Sequence, residues 1–316
     1  MPEMVRYSLR KLGSAVLLTL LVTWATFMLI FSDGHSIARS LLGEQATQEA
    51  VDLRAAELGL DQPVMTQYLQ WVGDLMTGSL GHSFFTGEAV TSMLSTRLPV
   101  TLTLTIIVVA LTAVISVLIG TAAAVRGGWT DRVLQVVAIV GAAVPPFILA
   151  IFLVLTVAVS WGILPATGYI QPTHDVVGWA RSLILPVAAI LVGLVGGASQ
   201  QFRGAITDVL QQDFVRTLRS RGISERAVIF RHVLRSAAAP GLMILSLQTI
   251  GMLGGVVLIE RIFALPGIGD LAVEMTLRGD VPVVMGCVVF TVLVVVVVNL
   301  LADIIGAWLN PKVRIA

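Results

Sequence analysis

The side chains that hold metals, move protons or attack carbon are thinly spread along this chain. His35, His82, His174 and His232 are scattered over three loop stretches, and no two stand at metal-ligand spacing, so neither a zinc nor an iron site is expected. Cys287 is the single cysteine and sits in an apolar run, which leaves no intrachain disulfide and no thiolate cluster. A phosphate-cradling Gly-x-x-x-x-Gly-Lys-Ser/Thr loop needs a lysine, and Lys11 and Lys312 both lie outside any such pattern. If this chain takes part in work driven by ATP, another chain hydrolyses it. Within the apolar runs Asp303 is the main ionisable residue, one turn after Asn299, and its plain reading is a helix-end carboxylate paired with an arginine. Carriers that couple solute to protons or ions place acids near mid-membrane, so this pattern weighs against a self-contained secondary carrier.

One charged cluster is dense. From Gln211 to Arg235 the chain reads QQDFVRTLRSRGISERAVIFRHVLR, and seven arginines fall between Arg203 and Arg235. The flanking segments are apolar enough for lipid. Charge is costly inside a bilayer, so the block must lie in water, and its arginines mark that side as cytoplasmic. The pattern predicts that the preceding helix runs on from Ser199 to Arg221, with Ile206, Val209, Leu210, Phe214 and Leu218 on one face and Arg216 and Arg219 turned away. Gly222 supplies a left-handed turn that ends it, Ser224 caps the next helix, and Glu225 stands in that helix's first turn. The second helix, Glu225 to Arg235, presents Ala227, Phe230 and Leu234 as an apolar stripe beside Arg226, Arg231 and Arg235, with His232 in the same turns. A short amphipathic helix held across the end of a bundle can transmit a push from a partner. The alternative, a basic anchor on anionic lipid, accounts for the arginines but less well for the helix, glycine, helix order.

The elements that must carry this segment are membrane spans. Of 316 residues, 56% are hydrophobic and 12% charged, and the mean hydropathy is +0.93, a composition whose interior solvent is lipid. Apolar runs of spanning length occur at about Ser8 to Phe31, Leu98 to Val125, Val133 to Trp161, Leu183 to Gln201, Ala238 to Ile259 and Val281 to Leu309. The first is expected to be retained, because Leu17 to Phe31 is followed by Ser-Asp-Gly-His with no clear small-residue cleavage site. Six spans put both termini on one side. Placing them in the cytoplasm gathers Arg6, Arg10, Lys11, Arg126, Arg132, Lys312 and Arg314 with the arginine block, and leaves most acids on outer loops.

The division is then residues 1–31 as cytoplasmic N-terminus and first span, 32–97 as an outer insertion, 98–309 as a core of five helices including the cytoplasmic segment 203–235, and 310–316 as a cytoplasmic tail. The insertion is expected to fold as a small helical cap, or else to lie as an amphipathic layer on the outer surface. Thr47 to Leu58 reads as a helix closed by Gly59, Pro63 opens one carrying Val64, Tyr68, Trp71, Val72 and Leu75, and a short third helix spans Glu88 to Leu98. Pro145 and Pro146 should kink the third span, either as a gate or as a static bend. Gly193, Gly196, Gly197, Gly251, Gly254 and Gly255 offer close helix contacts.

Taken together, five stretches resemble the membrane subunits of binding-protein-dependent ABC importers, in their dipeptide and oligopeptide permease branch. They are DFVRTLRSRGISERAVIFRHVLR, GLDQPVMTQYLQWVGDLMTGSLGHSF (Gly59 to Phe84), WGILPATGY (Trp161 to Tyr169), ERIFALPGIGDL (Glu260 to Leu271) and NLLADIIGAWLNPKVR (Asn299 to Arg314). The resemblance implies an all-α polytopic membrane protein of the type I importer permease fold, with six transmembrane helices and the helical insertion between the first two. It implies a non-catalytic half-channel in a prokaryotic inner membrane, without a cofactor of its own. The partners it implies are a second permease subunit, two ATP-binding subunits that carry ATP and Mg, and an extracytoplasmic solute-binding protein. By the same resemblance Arg216, Arg219, Gly222, Ser224, Glu225, Arg226, Phe230, Arg231 and His232 form the surface that couples to an ATPase subunit. Pro266, Gly267 and Gly269 lie in the outer loop that meets the binding protein or caps the path, and Pro145 and Pro146 lie at a gate position. Arg216-Thr217-Leu218 stands where the broader motif has Glu-Ala-Ala, and Leu234-Arg235 where it has Leu-Pro, so the superfamily's glutamate contact does not carry over. Those departures are usual for the peptide branch. The implied cargo is a dipeptide or short oligopeptide, with nickel chelates, glutathione and haem as alternatives in the same branch.

Overall fold

The computed structural model describes residues 2–30 and 34–309, with side chains from residue 13 onward within those ranges except at 239, 303 and 306–309. The pairing expected of Asp303, the basic side chains of residues 1–12 and the tail 310–316 therefore lie outside the described residues. In chain order the helices are α1 (Pro2–Ile30), α2 (Gly34–Leu42), α3 (Gln48–Glu57), α4 (Val64–Met76), α5 (Val90–Arg126), α6 (Gly128–Ala143) and α7 (Pro146–Leu153). There follow α8 (Val176–Leu210), α9 (Asp213–Ser220), α10 (Glu225–Ala227), α11 (Leu234–Ile262), α12 (Ile268–Arg278) and α13 (Val281–Leu309). Two π-wound stretches, Val154–Ser160 and Val228–Val233, continue α7 and join α10 to α11. The sole β feature among the described residues is an isolated bridge between His82 and Ala89.

Five helices are long and apolar enough to cross a membrane, and a sixth crossing is available if α6 and the Pro146–Ser160 segment form one broken span. The chain is an all-α polytopic membrane protein. Three expectations need correction. The third span is not one kinked helix, because its halves meet at 90°. Val144 and Pro145 take extended ψ values of 118° and 134°, as residues preceding a proline must, and neither proline offers the N–H that would carry α6 onward. The short helix expected at Glu88 to Leu98 is instead the opening of α5, which runs unbroken past Pro99. Finally, α2 appears where the sequence signals only a connection.

The chain divides into two compact units, Met1–Thr101 with Pro266–Val296, and Leu102–Leu265 with Val297–Ala316. In the first, Phe27, Ile37, Ala38, Val51, Ala55, Leu60, Tyr68, Trp71, Val281 and Met285 bury one another, so α2, α3 and α4 share a core with the end of α1 and the start of α13. Thr47 caps α3, accepting from the Ala50 N–H, and Gly59 turns the chain at φ +68°. Tyr68 meets Phe27 edge-on at 5.4 Å and donates its hydroxyl to the Leu20 carbonyl at 3.0 Å. A second cluster, including Val90, Leu94, Leu271, Met275 and Val284, joins α5, α12 and α13. There the fully buried Asp280 accepts from the Ser83 hydroxyl and, at 3.2 Å, from the Phe84 N–H.

In the second unit the packing of α6 on α8 depends on glycine. A side chain at Gly196 would run into the Ala138 carbonyl and lie 2.8 Å from the Ala142 nitrogen, and one at Gly141 would lie 3.1 Å from the Val192 carbonyl. A side chain at Gly197 would lie 2.9 Å from the Gln248 amide of α11. Added side chains at Gly251, Gly254 and Gly255 meet nothing within 4 Å, so those three serve no close contact among the described residues.

Candidate functional site

The arginine block forms a folded turn between α8 and α11. The expected continuous helix to Arg221 is interrupted, since α8 ends at Leu210 and α9 starts afresh at Asp213 after a two-residue break. The break resets the helical phase, so Val215 is fully buried while Phe214 is exposed. Gly222 takes φ +76°, the left-handed turn its type predicts, and a side chain there would meet nothing within 4 Å. Ser224 occupies the N-cap position without a side-chain hydrogen bond, and only its carbonyl closes the first turn, accepting from Val228 N–H at 3.0 Å. Glu225 reaches back across the turn and accepts a two-pronged bond from Arg219, with Nε to Oε2 at 3.0 Å. The Arg219 guanidinium bonded to it holds the Glu225 carboxyl below the ordinary range, and partial burial opposes this.

The stripe expected on the second helix also shifts. The segment winds as π from Val228 to Val233, so residues five apart share a face. Val228 and Val233 are both fully buried, and Ile229 beside them is nearly so. Phe230, expected on the stripe with Ala227 and Leu234, is 66% exposed. The helix does not stop at Arg235 either, because α11 begins at Leu234 without a break and runs to Ile262. Ile206, Val209, Val215, Val228, Val233 and Ala237 form the core of the turn, bounded by Ala124, Leu218 and Ile223. Arg216, Arg219, Arg226, Phe230 and Arg231 are left exposed and His232 half-buried. One continuous helical path therefore links an exposed aromatic among arginines to the fifth span.

Pro145 and Pro146 sit at the 90° bend. Pro266, Gly267 and Gly269 lie where α12 begins, with Gly267 at its N-cap position and the Ile268 N–H donating to the Thr101 hydroxyl at 2.9 Å. Asp270 in the first turn of α12 pairs with Arg97 at 3.4 Å. Sequence reading missed the pairing of Arg203 with Asp131, whose Nη2 to Oδ2 distance is 2.6 Å and which ties α8 to α6. Seventy-two positions separate the two, and no local spacing announces such a contact.

Long apolar helices, two of them joined by an exposed, arginine-rich turn, define a polytopic membrane protein. Comparison with known proteins makes this specific. Residues 116–315 match the model of the binding-protein-dependent transport system inner membrane component, and residues 4–105 match the N-terminal model of the same systems. The chain belongs to that family, as the resemblance in its sequence implies. A putative peptide transport system permease protein of Brucella abortus (strain 2308) is 36% identical over 307 residues, covering 97% of this chain and 98% of the relative. The di/tripeptide transport system permease protein DppB of Pseudomonas aeruginosa is 32% identical over 335 residues, covering 98% and 99%. The metal-staphylopine import system permease protein CntB of Staphylococcus aureus (strain Mu50) is 32% identical over 316 residues, with the same coverage.

Proposed function

We propose that this chain is the permease subunit of an ATP-driven peptide importer, forming half of the path and coupling to an ATPase subunit through the turn centred on Gly222. The observation that carries the reading is the combination at that turn of a buried apolar core and an exposed crest of Phe230, Arg216, Arg226 and Arg231. An aromatic held out among arginines matches the composition of interface anchors, where aromatic residues and arginine are enriched. ATP and Mg belong to two partner ATPases, which move this crest when they close, and a second permease and a solute-binding protein complete the assembly. Both termini and the Gly222 turn face the cytoplasm, as the arginine excess requires, and the 32–97 insertion faces outward. Pro266, Gly267 and Gly269 are the candidate contact with the binding protein, and Pro145 and Pro146 the candidate gate.

Peptide cargo is favoured by the relatives named for peptide transport. A metal chelate is the second reading, favoured by the staphylopine relative of equal coverage. The test is copurification of the chain with its ATPase subunits, followed by ATP-dependent uptake of labelled dipeptide into proteoliposomes. Uptake by the chain alone, or uptake of chelated metal without uptake of peptide, would overturn the corresponding half of the proposal.

A further inference from the structure

Beside the turn, a groove of about 510 Å³ opens between the end of α8 and the start of α11. Its α8 wall is Gln201, Gly204, Ala205 and Asp208, spaced three and four apart along one helix face, Gln212 borders it from the break before α9, and its α11 wall is Ser236, Pro240 and Ile244. The volume lies within the usual span for small-molecule sites. The chemistry of the lining is one-sided. Asp208 is the only charged residue there, and it has no ion-pair partner among the described residues although it lies in the most basic stretch of the chain. Arginines on either side are engaged elsewhere, Arg203 on Asp131 and Arg219 on Glu225. Pro240 has no N–H, so the carbonyl of Ser236, one turn earlier, lacks its usual helical donor. The groove therefore offers a carboxylate and a released backbone acceptor, flanked by two glutamine amides and floored by glycine, alanine and proline.

We infer that this groove is a solute site on the permease that takes the α-ammonium of a peptide, an inference that rests on the peptide reading above. An ammonium brings three donors and no acceptor. Asp208 and the Ser236 carbonyl supply two matching acceptors, and Gln201 and Gln212 can each both donate to and accept from a peptide backbone. Gly204 and Ala205 leave room for the first side chain whatever its size, which suits a path shared by many sequences.

The test uses the whole importer in nanodiscs of phosphatidylcholine and phosphatidylglycerol. Ser236→Cys in a Cys287→Ser background reports on the groove through its rate of maleimide labelling. Gly204→Cys, where an added Cβ meets nothing within 4 Å, is a second reporter should the first fail to assemble. L-alanyl-L-alanine is expected to slow labelling, and its N-acetyl derivative is not. Protection should weaken roughly tenfold in Asp208→Asn, about the worth of one charge-assisted hydrogen bond, and persist in Asp208→Glu. Equal protection by the acetylated peptide, or none by either, would overturn the site. Protection only when phosphatidylethanolamine is added would overturn it too, by giving the groove to a lipid amine. ATP-driven uptake by the same preparation separates the two ideas, since intact peptide uptake without protection removes this site and leaves the permease reading standing.

Discussion

Replacing Gly222 isolates the turn from every other feature of the coupling segment. Its φ of +76° lies in the left-handed region, and an added Cβ would meet nothing within 4 Å. The cost of a side chain there is backbone strain alone, without a steric clash. For alanine that strain is about 1–2 kcal/mol, and for a β-branched residue it is larger, because both branches crowd the backbone. Asparagine tolerates this conformation and should cost least. Every 1.4 kcal/mol is tenfold in a population, so Gly222→Ala should leave roughly a fifth to a thirtieth of the native preference for the intact turn.

The surrounding core of Val215, Val228 and Val233 contains no atom of Gly222, so the spans should fold and insert in all variants. The assay is ATPase copurification together with dipeptide uptake, normalised to membrane-inserted protein. The expected order of both readouts is glycine, asparagine, alanine, valine, with valine near background. Full activity in Gly222→Val would refute the reasoning. So would an asparagine variant as poor as valine, since that would mean the glycine makes room for a neighbour instead of supplying a conformation.

Phe230→Ala should leave insertion and thermal stability unchanged, because the ring is 66% exposed, yet weaken ATPase association by about 2 kcal/mol, the scale of an interface anchor, measured by titrated pull-down. Asp280→Asn removes a buried charge that accepts from the Ser83 hydroxyl and the Phe84 N–H; a loss of about 1.5–3 kcal/mol is expected, seen as an earlier thermal transition of the purified chain, with Ser83→Ala shifting it in the same direction. The Glu225 carboxyl titrates below its ordinary range because Arg219 is bonded to it. Its contribution is therefore complete above the ordinary glutamate range and fades as the pH falls through that range toward the depressed value. Melting curves of wild type and Glu225→Gln should differ at neutral pH and converge on acidification, by a small amount because both partners are near half exposure.

Much of the membrane architecture was legible because lipid imposes one uniform demand, about twenty apolar residues per crossing. That demand locates every span, and Pro145-Pro146 locates the break in the third. It does not reveal the 90° angle, because the prolines end α6 without fixing the direction in which the next helix leaves. Helix α2 escaped notice because only Ile37 and Ala38 bury in nine residues, too little for a periodic signal. In the coupling segment Gly222 and the order of helices were legible, but the buried face was not. Periodicity assumed 3.6 residues per turn, and a π stretch of six residues rotates Phe230 outward and Val233 inward. Side-chain links such as Arg203 to Asp131 depend on two helices meeting, and no sequence window contains both.

The turn can also be weighed as a lipid anchor against its role as a partner's handle. An anchor on anionic lipid gains from free positive charge and loses from acids placed beside it. Here Glu225 engages Arg219 with both carboxylate oxygens, and Asp213 stands 3.8 Å from Arg216. Two of the arginines thus face acids of their own segment, which lowers the positive charge a lipid surface would meet. The apolar residues point the same way. A surface-lying helix would turn Val228, Ile229 and Val233 toward acyl chains, whereas all three are buried within the protein, Val228 and Val233 in the core shared with α8 and α11. A compact crest, internally paired and continuous with a span, suits the proposed grip of a protein partner better than it suits a lipid surface.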